Sequence, residues 1–451
     1  MSKPARMAAC LPLLLAAGCT LYRPQPLPTA TDFAADPAHV QVDAASMSLP
    51  ALAAHRFDPA NGLDITDVAM LAVVNNPDLK IARAGAHVSQ AQAFAARLLP
   101  DPQFNLTRDF PVIGGPGTST AFNAALSYAV SSLLTYGSTR DAARAEAQQA
   151  DLNLLWQEWQ VVAQARILFV RLDAAARRMA LLARTRAVLA DRYQRTSAAL
   201  DRGLLTLDVV TPNLSALQDV DKQIHDLERQ VNQARHDLNQ LLGIAPTTEL
   251  ALKDGMAPAA LDAAAVRALL PALPRRRPDL LALQAGYAAQ DARYRAAILG
   301  QFPSLNVGVQ RTRDTSNTYT RGFGITMSLP IFNGNRGEVA IQQATRDKLR
   351  TEYQQRLNAS NAEIERLLAE QQINQRQLAE TSAALAGLRQ ASERMRAAFA
   401  ARNIDALALA TLELSVLAKE VERVDLEQAM REQQIGLQAL LGGDPPGAPP
   451  A

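Results

Sequence analysis

The 451-residue chain contains two cysteines, and both, Cys10 and Cys19, lie in its first twenty residues. This excludes a disulfide framework and a cysteine metal site from the body. Aromatic residues make up 5%, while Ala, Leu, Gln and Arg are abundant, a bias toward long helices rather than a β-rich core. Neither sign of charge dominates: 46 Lys and Arg face 44 Asp and Glu, for a net charge of +2. No basic run with interleaved aromatics is present, so nothing points to nucleic acid. No stretch beyond the N-terminus approaches the length of a membrane-spanning helix. No Ser/His/Asp constellation, phosphate-binding glycine loop or paired-carboxylate site stands in recognisable context, and the chain reads as a non-enzyme. His225 and His236 lie on one helical stretch about three turns apart. No carboxylate or histidine stands at clear ligand spacing, so neither metal nor cofactor is expected.

The N-terminus does carry a pattern. Lys3 and Arg6 precede the apolar run Met7–Ala17, which is too short to cross a bilayer and reads as a signal peptide over residues 1–18. Ala16, Ala17 and Gly18 directly before Cys19 resemble a bacterial lipobox, with Ala16 where Leu is commoner. That resemblance implies lipidation of Cys19 with diacylglycerol and an acyl chain such as palmitate. A membrane role must then use the lipid, β-strands, or both. Residues 19–62, rich in Pro, Ala and Asp, read as a lipid-anchored extended arm, and the Pro-rich residues 444–451 as a disordered tail.

Between them the chain is duplicated, at a spacing near 200 residues. Asn76-Pro77-Asp78-Leu79 reappears as Arg277-Pro278-Asp279-Leu280. Gly85 matches Gly286, Pro102 matches Pro303, and Asn105 matches Asn306. Arg202 pairs with Arg402, and Leu241-Leu242-Gly243 with Leu440-Leu441-Gly442. The pattern divides the chain into a first repeat (63–245), a linker (246–276) and a second repeat (277–443).

Each repeat opens with a helix, over about 66–98 and 279–299, interrupted or started by Pro77 and Pro278. Two short β-like segments follow, within 103–131 and 304–329; Phe104/Leu106 and Leu305/Val307/Val309 alternate with period two. A long helical hairpin comes next, over about 138–243 and 337–442. From 138 to 202 there is no Pro or Gly, and about 60 helical residues reach roughly 90 Å. Asp201-Arg202-Gly203-Leu204 and Ala401-Arg402-Asn403-Ile404 read as the hairpin turns, with Gly203 and Asn403 as the residues suited to a left-handed helix end. On the returning helix, Leu217, Val220, Ile224, Leu227, Val231, Ala234, Leu238 and Leu241 form a heptad seam.

Four strands cannot close a barrel, since outer-membrane barrels begin at about eight, and open sheet edges are not tolerated in lipid. If these strands enter a membrane, several chains must pool them: two, three or four chains give eight, twelve or sixteen strands. Strand physics does not choose among these.

From the lipobox to Gly442 the chain resembles the TolC-like outer-membrane efflux proteins. The residues that carry the resemblance are Arg276-Arg277-Pro278-Asp279-Leu280 opening the second repeat, Phe302-Pro303-Ser304-Leu305 before the third strand, and Leu329-Pro330-Ile331-Phe332-Asn333-Gly334 after the fourth. The resemblance implies a mainly α fold with a small β part: two tandem repeats, each a β-hairpin joined to a long α-helical hairpin. Three chains would form a twelve-stranded barrel and a periplasmic α-helical tunnel. It implies a homotrimer in the outer membrane that docks a periplasmic adaptor (membrane fusion) protein, which in turn contacts an inner-membrane efflux transporter. Arg202, Gly203, Leu204, Arg402, Asn403 and Ile404 would be the adaptor-docking tip, and the linker 246–276 would lie at the tunnel's equator. Many relatives carry an acidic gating ring just past the second tip. Here Leu407–Leu412 holds no aspartate, leaving Asp208, Asp405 and Glu413 as gating candidates.

Each singled-out residue also has a plainer reading. Arg275, Arg276 and Arg277 read as a solvated helix start, Trp156 and Trp159 as helix packing, and Asp208 and Asp405 as turn and cap residues. The expected function is a passive exit duct for solute. Type I protein secretion keeps the same fold with another cargo, and a lipid-anchored periplasmic coiled-coil scaffold explains the heptads but not the paired β segments.

Overall fold

A computed structural model describes residues 22–113, 115–253 and 262–443. The signal peptide, Cys19, linker residues 254–261 and the tail 444–451 lie outside the described residues.

The opening helix, expected to be interrupted or started by Pro77, is divided there into two. Helix α1 (Pro50–Ala53) belongs to the arm; α2 (Ile65–Asn75) and α3 (Pro77–Ala95) follow. The break is at Asn76, extended because a proline follows. Its Oδ1 accepts from the Leu79 amide at 2.8 Å, and its Nδ2 donates to the Leu241 carbonyl at 2.8 Å. Helix α2 is buried on every side: Val68, Ala69, Met70, Leu71 and Ala72 are all 0% exposed. It forms the centre of the first repeat, where it packs with Ala165, Phe169, Leu238 and Leu242.

After strands β1 (Gln103–Asp109) and β2 (Ala121–Ala129) comes α4 (Ser131–Asp201), then α5 (Leu207–Leu241). The 71 residues of α4 span about 105 Å. It starts before residue 138 because one partly buried glycine, Gly137, costs only about 1 kcal/mol in a helix of this length. All eight seam positions of α5 are buried or half-buried, whereas His225 and His236 are exposed. Short helices α6 (Ala263–Leu269) and α7 (Leu273–Arg276) lead to α8 (Pro278–Leu299), β3 (Leu305–Arg313), β4 (Tyr319–Met327), α9 (Arg336–Ala400) and α10 (Ala406–Leu441). Val266, Leu273, Leu280, Ile364, Leu368, Leu437 and Leu441 form the second repeat's core. No described helix is long and apolar enough to cross a membrane.

Each repeat closes on its own beginning. Gly243 takes φ +61°, and a Cβ there would lie 2.6 Å from the Asn75 carbonyl oxygen. Asn75 Nδ2 donates to the carbonyls of Leu242 and Gly243 at 2.7 and 3.0 Å. In the second repeat Gly442, at φ +80°, sits against Arg276.

The four strands form one antiparallel sheet in the order β1-β2-β3-β4, so β2–β3 joins the two repeats and β1 and β4 are open edges. The segment expected as an extended arm is, from Ala34 on, docked against the first repeat. Met47 and Leu52 are buried beside Met70, Val73 and Val162. Parallel bridges join Ala34 to Ile244 and Leu63 to Leu252.

Candidate functional site

The strand register sorts the sheet into two chemically distinct faces. Paired residues share a face, which gives transverse rows. Phe104, Leu126, Val309 and Phe323 form one row, and Tyr128, Val307 and Ile325 the next toward the helices. The opposite face carries Asn105, Ala125, Gln310 and Gly322 in one row and Thr107, Asn123, Thr312 and Thr320 in another. Phe104, Leu106, Phe323, Ile325 and Met327 are all more than half exposed. A nine-residue strand spans about 30 Å. An apolar face, a polar face, exposed edges and this length are together the requirements of a pooled membrane barrel with a wet interior. The four strands fall within the expected segments 103–131 and 304–329, and toward the hairpin ends the ladder runs beyond the apolar alternation.

At the opposite end lie the two hairpin tips. Helix α4 ends in a Schellman turn: Gly203, at φ +72°, donates to the Leu200 carbonyl at 2.8 Å, and Leu204 donates to that of Ala199 at 2.8 Å. Helix α9 ends in the same turn, one position away from the expected residue. Arg402 takes the left-handed conformation at φ +60° and donates to Phe399, while Asn403 donates to Ala398. The structural counterpart of Gly203 is therefore Arg402 and not Asn403. Arg202, Gly203, Leu204, Arg402 and Asn403 are exposed, and Ile404 is half-buried.

Of the gating candidates, Asp405 caps α10, accepting from the Ala408 amide at 2.7 Å. Glu413 pairs back to Arg396 on α9 at 2.9 Å. Asp208 stands exposed in the first turn of α5.

The long helices of the two repeats are joined by ion pairs. Arg171–Glu432, Arg177–Glu427 and Arg178–Asp425 link α4 to α10 at 3.0, 2.6 and 3.3 Å. Arg431–Asp173, at 2.6 Å, is the most buried of them. Burial pushes the Asp425 carboxyl up, against the pull of Arg178.

Arg277 corrects the reading of the arginine run. Arg275 is exposed, but Arg277 is 2% exposed. Its guanidinium grips Asp279 through two hydrogen bonds of 2.9 and 2.7 Å and lies 5.1 Å from the Trp156 ring centroid. Arg356 reaches the same carboxylate at 2.8 Å. Burial would raise Asp279; the hydrogen bonds and charges of Arg277 and Arg356 outweigh it and hold the carboxyl below its usual range. Trp156, read as packing, also seats this arginine. No spacing rule announces the cluster, since its members come from α4, α8 and α9.

His55, Asp64 and Asp67 also come together, within 4.8 Å, a juxtaposition the sequence spacing did not suggest. The Asp67 oxygens accept from the amides of Asp58 and Asp64 at 3.3 and 3.0 Å. The cluster thus completes the α2 capping box and ties the arm to it.

Residues 269–443 match the outer membrane efflux protein family. No curated protein matches the chain in sequence. In fold the chain is similar to the outer-membrane channel OprN, with TM-score 0.71 and 18% identity over 94% of this chain and 99% of that one. It is also similar to the CmeC outer membrane channel of Campylobacter jejuni, with TM-score 0.69 and 15% identity over 96% and 97%. The open-state MtrE outer membrane channel of Neisseria gonorrhoeae gives TM-score 0.68 and 19% identity over 94% and 97%. The fold implied by the TolC-like resemblance is the fold observed.

Proposed function

We propose that this chain, whose residues 269–443 match the outer membrane efflux protein family, is one protomer of a passive outer-membrane exit duct. The observation that carries the reading is the sheet: four strands, two open edges, one apolar face and one polar face. Three chains pool twelve strands into a barrel, and their α4, α5, α9 and α10 helices form the periplasmic tunnel below it. The apolar face of β1–β4 weighs against a periplasmic scaffold, which has no use for exposed Phe and Ile on strands.

In this reading the tip residues Arg202–Leu204 and Arg402–Ile404 meet a periplasmic adaptor, which links the duct to an inner-membrane transporter. An acyl anchor on Cys19 holds the arm at the inner leaflet of the outer membrane. The chain itself performs no chemistry. With Asp405 engaged as a cap and Glu413 paired, the closed tip relies on helix packing and on Asp208 more than on an acidic ring.

The test is reconstitution of the full, processed protein into planar bilayers. A trimeric particle with ion conductance is expected. A monomer that leaves the bilayer non-conducting, with residues 103–131 and 304–329 cleaved from the periplasmic side in cells, would sink the duct and favour the scaffold.

A further inference from the structure

The lipid-facing surface of the sheet is not apolar along its whole height. At the hairpin end, away from the helices, its outermost transverse row is Arg108, Phe122, Arg313 and Tyr319. The next row is Leu106, Ala124, Arg311 and Arg321. Every arginine of the sheet lies in these two rows. The rows nearer the helices contain none.

Three observations bear on what they meet. First, Arg311 and Arg321 are direct cross-strand partners on one face. Like charges so placed repel, and the repulsion grows as the surroundings lose water. Second, no carboxylate relieves them: among the described residues none of the four arginines forms an ion pair. Arg313 donates instead to Thr120, to the carbonyl at 2.6 Å and to Oγ1 at 2.9 Å. Third, aromatic rings stand beside these arginines, Phe122 and Tyr319 in the outermost row and Phe110 just past the end of β1. Arg108 lies 5.3 Å from the Phe110 centroid, Arg311 5.7 Å from that of Tyr319, and Arg313 5.6 Å from that of Phe122. Such packing orients the guanidinium groups and, among the described residues, leaves the donor edges of Arg108 and Arg311 free, whereas Arg313 spends its donors on Thr120 and on the Tyr319 hydroxyl.

An arginine on the lipid face costs about 2–4 kcal/mol at mid-membrane and about 0–1 near the interface. The two rows therefore mark an interface. We infer that they form an arginine belt that binds the phosphate groups of phosphorylated, multiply acylated lipid in the outer leaflet, an inference that rests on the duct reading. Guanidinium groups grip phosphate through paired hydrogen bonds. One row below, about 7 Å down the strands, Phe104, Leu126, Val309 and Phe323 offer apolar surface for the acyl chains of the same molecule. This continuity commits the site to a lipid rather than to free phosphate. Closing the barrel would bring β4 of one chain beside β1 of the next, so Arg321 and Arg108 would extend the belt across each subunit boundary.

The test uses the full, processed trimer in detergent. It is mixed with diphosphoryl lipid A or with chemically dephosphorylated lipid A, and retained lipid is counted by native mass spectrometry. Retention of the phosphorylated lipid on the order of tenfold higher is expected, equivalent to about 1.4 kcal/mol. Arg311→Gln with Arg321→Gln should abolish the preference while leaving the trimer intact. Excess inorganic phosphate should not displace the lipid. Equal retention of the two lipids, an unchanged preference in the double variant, or full displacement by inorganic phosphate overturns the belt. If the double variant does not assemble, the wild-type comparison of the two lipids decides alone. A trimer that conducts in phosphatidylethanolamine bilayers but shows no preference removes the belt and keeps the duct; a chain that enters no bilayer removes both.

Discussion

Asn76-Pro77-Asp78-Leu79 and Arg277-Pro278-Asp279-Leu280 occupy the same place in the two repeats, and they hold it by different chemistry. In both, the proline starts a helix and the leucine is buried, at 1% and 0% exposure. In the first repeat the residue before the proline is a neutral amide bonded to the Leu241 carbonyl, and Asp78 faces solvent. In the second, that residue is a buried arginine, and Asp279 is its counter-ion. The two repeats share the backbone plan, and the joint in the second is a charge cluster tying α4, α8 and α9 together. A neutral joint tolerates the loss of its neighbouring carboxylate; a buried ionic one does not.

The largest expected effect breaks this comparison directly. Asp279→Asn strands Arg277 in the interior and should cost about 3–5 kcal/mol. Asp78→Asn, on the surface, should stay within about 0.5 kcal/mol. Denaturation midpoints of the two purified variants decide. Similar shifts for both would mean that the Arg277 cluster carries no special share of the stability.

The same asymmetry has a pH signature. The folded carboxyl of Asp279 titrates below its unfolded value. Its contribution is therefore fully present above the unfolded pKa of about 3.9 and is lost as pH falls through the lower folded pKa. The wild type should lose stability below about pH 4 more steeply than Asp279→Asn, with Asp78→Asn following the wild type. Parallel curves for wild type and Asp279→Asn between pH 5 and 3 would count against the cluster as the acid-sensitive joint.

Much of this plan is written in the chain. The absence of Pro and Gly over 138–202 and the heptad seam of α5 give the hairpin, and the alternation around Phe104 and Val307 gives the strands. The legible signals are local and periodic. What could not be read depends on residues far apart. Arg277 sits in a run of three arginines that reads as solvated, and only the arrival of Trp156 and Arg356 makes it internal. The second tip was misjudged by one position, because Asn403 is the better left-handed residue by type. The turn is instead set by where the α9 carbonyls are closed, and that puts Arg402 there.

The tips offer a comparison of opposite sign. Gly203 has open space around a built Cβ, so Gly203→Ala meets only the left-handed backbone cost, about 1–2 kcal/mol. Arg402 already bears that cost. Arg402→Gly should relieve it, offset in part by the greater freedom of glycine in the unfolded chain, for a net gain below about 1 kcal/mol. Because helix ends open locally, amide hydrogen exchange at residues 199–206 and 398–405 is the suitable readout. Exchange should speed up at the first tip in one variant and slow down at the second in the other. Changes of the same sign would show that the two turns are not equivalent in conformation.

The smallest contrast lies one step further along each turn, where the returning helices begin. Thr206 and Asp405 are the matching N-caps, three residues past Gly203 and Arg402 respectively. Thr206 makes no side-chain capping bond, whereas Asp405 accepts from Ala408 at 2.7 Å. A carboxylate at a helix N-terminus also meets the positive end of the helix dipole. Asp405→Ala should therefore loosen the first turn of α10 by about 1 kcal/mol, and Thr206→Ala should leave the first turn of α5 nearly unchanged. This contrast separates a cap from a gate. If Asp405 acted mainly as charge in a closed aperture, Asp405→Asn, which keeps a capping oxygen, would raise the conductance of the closed trimer as much as Asp405→Ala does. If it acts as the cap, Asp405→Asn should leave both exchange and conductance near wild type, and only the alanine variant should alter them.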